Sequence, residues 1–271
     1  MKYLSLIFLL LWLQSSQLSA AQKTLTFGVV PQQSASKLLS IWGPLLSHLS
    51  KETGIKLVFK TAKDIPSFEK ALAQGRYDIA YMNPFHYTEF HKSPGYQAFA
   101  KSANKQIKGI IVINKNSAVK TLKDLEGKTL VFPSRYAFAA TLLTQALFHQ
   151  EKVAFKSKYV SSHDSVYLNV AKGTFPAGGG IHRTFSSIPL NLQNQLMVLK
   201  TTAGHTPHAF AAHPKISSAI VDQLVIALVG LRNNKTGQVL LNKLKMSAIE
   251  SAKNRDWDDI RALNIQTTFT E

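Results

Sequence analysis

The 271-residue sequence contains no cysteine. This absence excludes a disulfide-stabilised scaffold, thiolate metal sites, a cysteine nucleophile and a lipidated N-terminal cysteine. The sequence also lacks a nucleophile-elbow motif, a His-Glu metal motif and a paired-carboxylate signature. We therefore favour a binding protein over an enzyme, and we expect no metal ion and no cofactor.

Acidic residues are scarce. The chain has 15 Asp and Glu against 32 Lys and Arg, which gives a formal net charge of +17 and an isoelectric point of about 9.9. Such an excess attracts anions, but it does not distinguish nucleic acid, an anionic membrane surface and a small anionic ligand. Hydrophobic residues make up 45% of the chain, which is enough for a folded core.

Hydrophobic runs of membrane-spanning length are also missing. The run at residues 4–13 is about half of the roughly 20 residues that a spanning helix needs. It follows Lys2 and precedes the small residues 19–21, a pattern typical of a cleaved secretory signal. We predict a signal peptide at residues 1–21 and a periplasmic mature protein. Export argues against nucleic acid as a partner and favours small anions or an acidic surface.

Hydrophobic periodicity predicts strands that alternate with helices. The first strand, residues 24–30, is followed by a helix at residues 34–51 that Gly54 ends. Further strands are predicted at residues 55–59, 78–82, 108–114, 129–132, 158–160 and 195–199, and residues 177–181 are either a strand or a turn. Further helices are predicted at residues 66–74, 122–126, 137–150, 165–172, 217–231, 236–243 and 257–264. This alternation indicates an α/β fold with mostly parallel sheets.

The alternation restarts near residue 113, which predicts a second lobe. In such architectures, ligands bind beyond the carboxyl ends of parallel strands, where helix N-termini present backbone N–H groups. These positions are residues 31–34, 83–87, 133–136 and 161–165.

Two of these loops carry side chains suited to an anion. Ser134 can converge on an oxyanion together with the first helical amides, and Arg135 would add a charged planar fork. Alternatively, Ser134 only caps the helix and Arg135 is a solvated charge. His163 at a helix start can donate to an anion, whereas an isolated histidine is more often structural. Asp164 next to it is expected to cap the helix.

Aromatic and glycine residues supply further candidates. The stretch after the strand at 78–82 supplies Tyr87, and also Tyr81 or Asn83, and a tyrosine can wall a cleft with its ring and donate from its hydroxyl. The alternative is that these aromatic residues are core; we accept it for Phe85 and favour a binding role for Tyr87. The glycine run at residues 177–180 lacks the lysine and spacing of a nucleotide loop, so close backbone approach at an interlobe crossing is at least as good an interpretation. His205 to His213 offers three histidines, but their spacings of three and five residues do not fit a usual zinc site.

An ordered set of stretches resembles the periplasmic phosphate-, phosphite- and phosphonate-binding proteins of ABC transporters. They cover about residues 25–231 and read FGVVPQQ, WGPLLSHLSKETG, ALAQGRYDIAYMNPFHY, DLEGKTLVFPSRYAFAATLL, SSHDSVYLNVAKG and AGGGIHRTF. The resemblance implies a two-lobed type II periplasmic-binding-protein fold with a hinge of two crossings. One lobe would comprise residues 22–112 plus 199–271, and the other residues 113–198.

The resemblance also implies ligand-binding residues. The family's tyrosine falls on Tyr87, its serine-rich loop on Ser134 with the neighbouring Arg135 and Tyr136, and its histidine on His163. The family's Ser-Thr-Ser-Gly loop is Ser-Arg-Tyr-Ala here, so hydroxyl contacts are missing and Arg135 can replace them. No carboxylate stands where the family holds the amino group of a phosphonate. We therefore expect a compact anion such as phosphate or phosphite, or a different anion, rather than an aminoalkyl phosphonate.

Together these features predict a solute-binding protein that closes two lobes over a small oxyanion and delivers it to an inner-membrane ABC permease. Gln33 of the first loop can contribute to the site, and we expect a monomer. The alternative is a sensory protein that signals by the same closure to a membrane kinase or cyclase. Neighbouring genes would distinguish transport from sensing. An enzyme on this fold is a third possibility, and turnover that is lost on mutating Tyr87, His163 or Ser134 would be its test.

Overall fold

The computed structural model describes residues 23–265, so the predicted signal peptide lies outside the described range. The strands are β1 (Thr24–Val29), β2 (Lys56–Lys60), β3 (Ile79–Met82), β4 (Gln97–Ser102), β5 (Gly109–Asn114), β6 (Thr129–Phe132), β7 (Lys156–Tyr159), β8 (Ala177–Ile181), β9 (Leu196–Thr201), β10 (Ala209–Ala212) and β11 (Ile249–Ser251). The helices are α1 (Ala35–Thr53), α2 (Ile65–Ala73), α3 (Pro84–Lys92), α4 (Thr144–Gln150), α5 (His163–Ala171), α6 (His182–Phe185), α7 (Leu190–Gln193), α8 (Ser218–Gly230), α9 (Lys235–Lys243) and α10 (Asp258–Arg261). Within this range, none of the helices is both long and apolar enough to cross a bilayer.

The strands form two sheets, in the orders β11-β4-β10-β3-β1-β2 and β7-β6-β8-β5-β9. Pairing is parallel within β2-β1-β3 and within β7-β6-β8. The remaining strands pair antiparallel. The predicted two-lobed α/β fold is confirmed.

The chain passes from the first sheet to the second between β4 and β5, and it returns between β9 and β10. The two connecting segments pair with each other, because Ile107 and His205 exchange backbone hydrogen bonds of 2.8 and 3.0 Å. This pairing places both crossings side by side. The residue boundaries given above for the two lobes stay a prediction.

Helix α1 shows how the sequence positions the loop that follows β1. Its apolar stripe, which includes Trp42 and Leu45, is buried against the first sheet. The Ser34 side chain accepts a hydrogen bond from the Lys37 N–H, and Gly54 ends the helix in the left-handed conformation. Only residues 30–34 separate the helix from β1, so this short loop stays at the carboxyl end of that strand.

Helix α3 begins where the sequence suggested only a loop after a strand. The Asn83 side chain accepts from the His86 N–H at 2.7 Å, and Pro84 occupies the first helical position. Both features favour a helix start. Strand β10, which lies between β3 and β4 in the first sheet, was likewise not predicted, and neither were β4 and β11.

The helix predicted at residues 137–150 starts with a π-helical segment, Phe138–Leu143, and continues as α4. It packs directly on glycines of the second sheet. A Cβ on Gly179 would collide with the Ala140 carbonyl oxygen, and a Cβ on Gly109 would collide with that of Ala139. The glycine run is therefore a strand that another backbone approaches closely, as expected, but it lies within the second sheet and not at a crossing between the lobes.

Candidate functional site

The loops that follow β1, β3, β6 and β7 meet between the two sheets. The His163 N–H, at the start of α5, donates to the Gln32 carbonyl of the first loop at 3.0 Å. The Asn83 side-chain amide donates to the Tyr136 carbonyl at 3.1 Å. Both hydrogen bonds connect residues of the first sheet's loops with residues of the second sheet's loops.

A small cavity lies among these loops. Its polar lining comes from Gln32, Asn83, His163 and His208, and one wall is formed by residues 137–140 at the start of the π-helical segment. The first N–H groups of a helix have no partner within the helix, so this wall offers donors and the positive end of the helix dipole. The cavity has a volume of about 10 Å³, which is room for about one water molecule.

His163 lines this cavity and has one ring nitrogen without a partner among the described residues. Its side chain is 1% exposed, Nδ1 lies 3.2 Å from the Thr184 hydroxyl, and the buried Nε2 has no hydrogen-bond partner within residues 23–265. Burial, and after it the charge of Arg183, lowers the pKa of His163 to about 3. The ring is therefore neutral near pH 7. When Thr184 donates to Nδ1, Nε2 carries the ring hydrogen and can donate to a ligand.

Ser134 supplies a second buried group without a partner. Its side chain is 3% exposed, and in the described part of the chain nothing hydrogen-bonds to its hydroxyl. The Ser134 carbonyl accepts from the Thr141 hydroxyl at 2.7 Å, which ties the loop to the following helix. A buried polar atom without a partner costs free energy, so its presence in a folded site calls for a ligand or water.

Three residues that sequence reasoning missed form a network beside the cavity. The Arg183 guanidinium donates to Gln32 Oε1 and lies 5.8 Å from the centre of the Tyr81 ring. Since arginine can only donate, the Gln32 amide is oriented with Nε2 towards His208 Nε2, at 3.3 Å. His208 must then accept at Nε2. Burial, with a smaller effect of Arg183, holds the pKa of His208 well below its usual value.

A sequence signal for Arg183 existed. It follows the end of β8, which runs parallel to β6, so it stands at the same edge of the sheet as Ser134. His208 had been considered only as one of three spaced histidines, and within residues 23–265 no cluster of metal-binding side chains is present.

The structure does not bring Tyr87 to the cavity. This side chain is fully buried, its hydroxyl donates to Asn254 Oδ1 at 2.9 Å, and its ring lies 4.6 Å from that of Trp257. These contacts are those of a core tyrosine of the first lobe. Tyr81, by contrast, stacks on His208 with 5.0 Å between ring centres and so supports the cavity from one side.

The other predicted residues lie around the site rather than in it. Arg135 is exposed, and Tyr136 is half-buried with its ring 6.1 Å from that of Phe85. Gln33 hydrogen-bonds to the side chain of Asp164, whose pKa is raised by burial. Asp164 is not the cap of α5, because Ser162 accepts the capping hydrogen bond from the Ser165 N–H; the expectation for Asp164 was wrong.

Comparison with known proteins gives the family. Residues 27–257 match the family described as ABC transporter, phosphonate, periplasmic substrate-binding protein. The chain belongs to this family. The resemblance drawn from the sequence stretches is thereby confirmed, and so is the expectation of a binding protein, since this phosphonate-binding family consists of substrate-binding proteins rather than enzymes.

The individual relatives of this phosphonate-binding-family member have low sequence identity to it. The phosphate-import protein PhnD of Mycolicibacterium smegmatis is 25% identical over 195 residues, which are 61% of this chain and 57% of that protein, so the match spans little more than half of the relative. A binding protein component of an ABC phosphonate transporter from Pseudomonas aeruginosa has a TM-score of 0.82 at 19% identity, covering 90% of this chain and 86% of its own. PhnD1 of Prochlorococcus marinus, solved with methylphosphonate, has a TM-score of 0.81 at 18% identity and covers 89% and 98%.

Proposed function

We propose that this protein is an exported, monomeric solute-binding protein that encloses a small oxyanion of the phosphate, phosphite and phosphonate class between its two lobes. It would then deliver the anion to an inner-membrane ABC permease. The observation that carries the proposal is a pair of buried polar atoms without partners among the described residues. His163 Nε2 belongs to a residue that lines the cavity between the lobes, and Ser134 Oγ lies in the loop just before the helix start that forms one wall of it.

The electrostatics of the cavity support an anion as the ligand. No carboxylate is among the described residues that line it, and the Arg183 guanidinium lies next to it on Gln32. Hydroxyl, imidazole and backbone N–H donors around a site of low water content bind an oxyanion strongly, because each charge-assisted hydrogen bond is weakly screened.

The small volume of the cavity supports a motion that opens and closes the two lobes. A tetrahedral oxyanion needs more space than one water, so the loops must part for it to enter. Closure would then remove water from the site and convert occupancy into a shape that a permease can recognise. The hydrogen bonds of Gln32 with His163 and of Asn83 with Tyr136 are suited to hold the closed form.

The ligand class is supported by the relatives. One of them is named a phosphate-import protein, and a structural neighbour was solved with methylphosphonate. The cavity lining in the described chain offers no carboxylate for an amino group. An aminoalkyl phosphonate therefore fits less well than a phosphonate whose substituent is uncharged or anionic.

The test is calorimetric titration of the purified mature protein with phosphate, phosphite and methylphosphonate, with sulfate for comparison. Ser134→Ala and His163→Gln should each weaken binding by about 10- to 100-fold, the value of one charge-assisted hydrogen bond. The exposed residues Ser251 and His149 allow matched control variants, Ser251→Ala and His149→Gln, which should bind like the parent. If none of the three phosphorus anions binds the parent protein, the proposed ligand class is wrong.

A further inference from the structure

A second, larger cavity adjoins the first. It has a volume of about 220 Å³ and shares Ile107, Ile181 and His208 with the small cavity. It is bounded by both hinge segments, with Ile107 on one and Pro207 on the other. A substituent on an anion held at Ser134 and His163 would therefore have an adjacent space to enter.

The charge around this space is one-sided. Lys105, Lys108, Arg183 and Lys245 line it, together with His182, and no aspartate or glutamate is among its described lining residues. We call this space the basic cavity. Within residues 23–265, none of these four cations forms an ion pair with a carboxylate.

A neighbouring lysine shows that pairing is available nearby. Lys101, in β4, contacts Asp256 at 2.8 Å and Glu250 at 3.1 Å. In contrast, Lys105 Nζ donates to the Lys245 carbonyl at 2.6 Å, which brings two cationic residues together across the cavity rim. Like charges gathered without carboxylates repel one another, and an anionic group placed among them would relieve that repulsion.

The inner walls of the basic cavity are apolar. The Tyr81 ring, Ile107, Ile181, Pro207 and Met246 contribute them. Such a combination suits an organic chain that ends in a negative group, because the chain contacts the apolar walls while its charge reaches the cationic rim.

We propose that the ligand is a phosphonate or phosphate monoester whose organic substituent carries a second anionic group, and that the basic cavity binds that substituent. The phosphoryl end would lie at Ser134 and His163, so this inference rests on the proposed function and specifies its ligand. The second anionic group, such as a carboxylate, would meet Lys105, Lys108 and Lys245.

The test compares matched ligands by calorimetry at fixed ionic strength. The parent protein is titrated with 3-phosphonopropionate and 4-phosphonobutyrate, and with alkylphosphonates of the same chain length. The carboxylated compound should bind at least about tenfold more tightly for one of the two lengths, as expected for a charge-assisted contact. In Lys105→Gln/Lys108→Gln/Lys245→Gln this preference should fall to about twofold, while methylphosphonate binding stays within about threefold of the parent and shows that the variant is folded.

A second triple variant controls for net charge. Lys128→Gln/Lys156→Gln/Lys158→Gln removes three exposed lysines elsewhere on the second lobe and should keep the preference. Equal affinity of the parent protein for carboxylated and alkyl ligands overturns the inference, as does a preference that survives in the first variant or disappears equally in the second. In each of these cases binding of methylphosphonate leaves the proposed function standing. A parent protein that binds no phosphorus anion overturns both.

Discussion

His163 has two ring nitrogens in different surroundings. Nδ1 faces the Thr184 hydroxyl, which itself lies 2.7 Å from the Tyr167 hydroxyl and can donate to the Ile181 carbonyl at 3.2 Å. Nε2 has no partner within the described residues. An imidazole held on one side and free on the other is oriented before a ligand arrives, which reduces the entropy lost on binding.

The burial of His163 predicts an acid-sensitive fold in the absence of ligand. Its pKa is about 3 in the folded protein, against about 6.5 in the unfolded chain, so only the unfolded chain takes up this proton between those values. Stability therefore falls as the pH is lowered through that window. From pH 7.5 to 5.5, His163 should account for a loss of about 1.4 kcal/mol in the free energy of unfolding.

Urea unfolding in phosphate-free buffer at the two pH values measures this loss. His163→Gln should reduce the pH dependence by about that amount, whatever its effect on stability at pH 7.5. His149→Gln, which replaces an exposed histidine, is measured beside it as the matched variant. An unchanged pH dependence in His163→Gln would mean that His163 titrates normally in the fold.

At the scale of elements, the contact between β8 and the π-helical segment positions the helix start that lines the small cavity. Gly179→Ala would place a methyl group against the Ala140 carbonyl and the Phe132 ring. Overpacking of this kind costs about 1–3 kcal/mol, and here it must also shift the helix start that lines the cavity. We expect lower stability in urea and weaker methylphosphonate binding.

A matched control is Gly230→Ala at the end of α8. No heavy atom lies within 4 Å of a Cβ at that position, and its φ of −65° suits any residue. This change should leave binding unaltered and stability equal or higher, because alanine favours a helix by about 0.5–1 kcal/mol over glycine. Equal effects of the two substitutions would show that the close approach at Gly179 does not position the site.

Strong local patterns explain which elements the sequence could predict. Helix α1 has a clean apolar stripe and β6 a short apolar run, and both were predicted close to their observed bounds. Helix α3 is aromatic on most faces and nearly all buried, so it shows no periodicity. Strand β10 has the sequence Ala-Phe-Ala-Ala, whose extended form depends on the strands at either side.

The same reasoning separates the site residues. Ser134 and His163 follow segments whose sequence predicts a strand. Arg183 follows a glycine-rich segment whose sequence is compatible with either a strand or a turn. The role of Gln32 depends on contacts with residues more than a hundred positions away, at His163 and Arg183. No local pattern carries that information.

At the scale of the whole molecule, the two lobes are connected both by the hinge and by polar contacts between their loops. Asn83 takes part in one of these contacts and also in a helix cap. Its side-chain oxygen caps α3 and its side-chain nitrogen donates to the Tyr136 carbonyl of the other lobe. The cap and the interlobe contact can therefore be separated by substitution.

Asn83→Ser keeps a capping oxygen but cannot reach Tyr136, so the fold should lose little stability while the closed form loses one hydrogen bond. We expect methylphosphonate affinity to fall about 5- to 10-fold, the value of about 1 kcal/mol or slightly more. X-ray scattering should show a smaller radius of gyration for the parent protein with ligand than without it. Asn83→Ser should need a higher ligand concentration for the same decrease. If the free and the ligand-saturated parent protein scatter alike, the lobes do not close on the ligand. Asn83 would then only cap α3 and line the cavity.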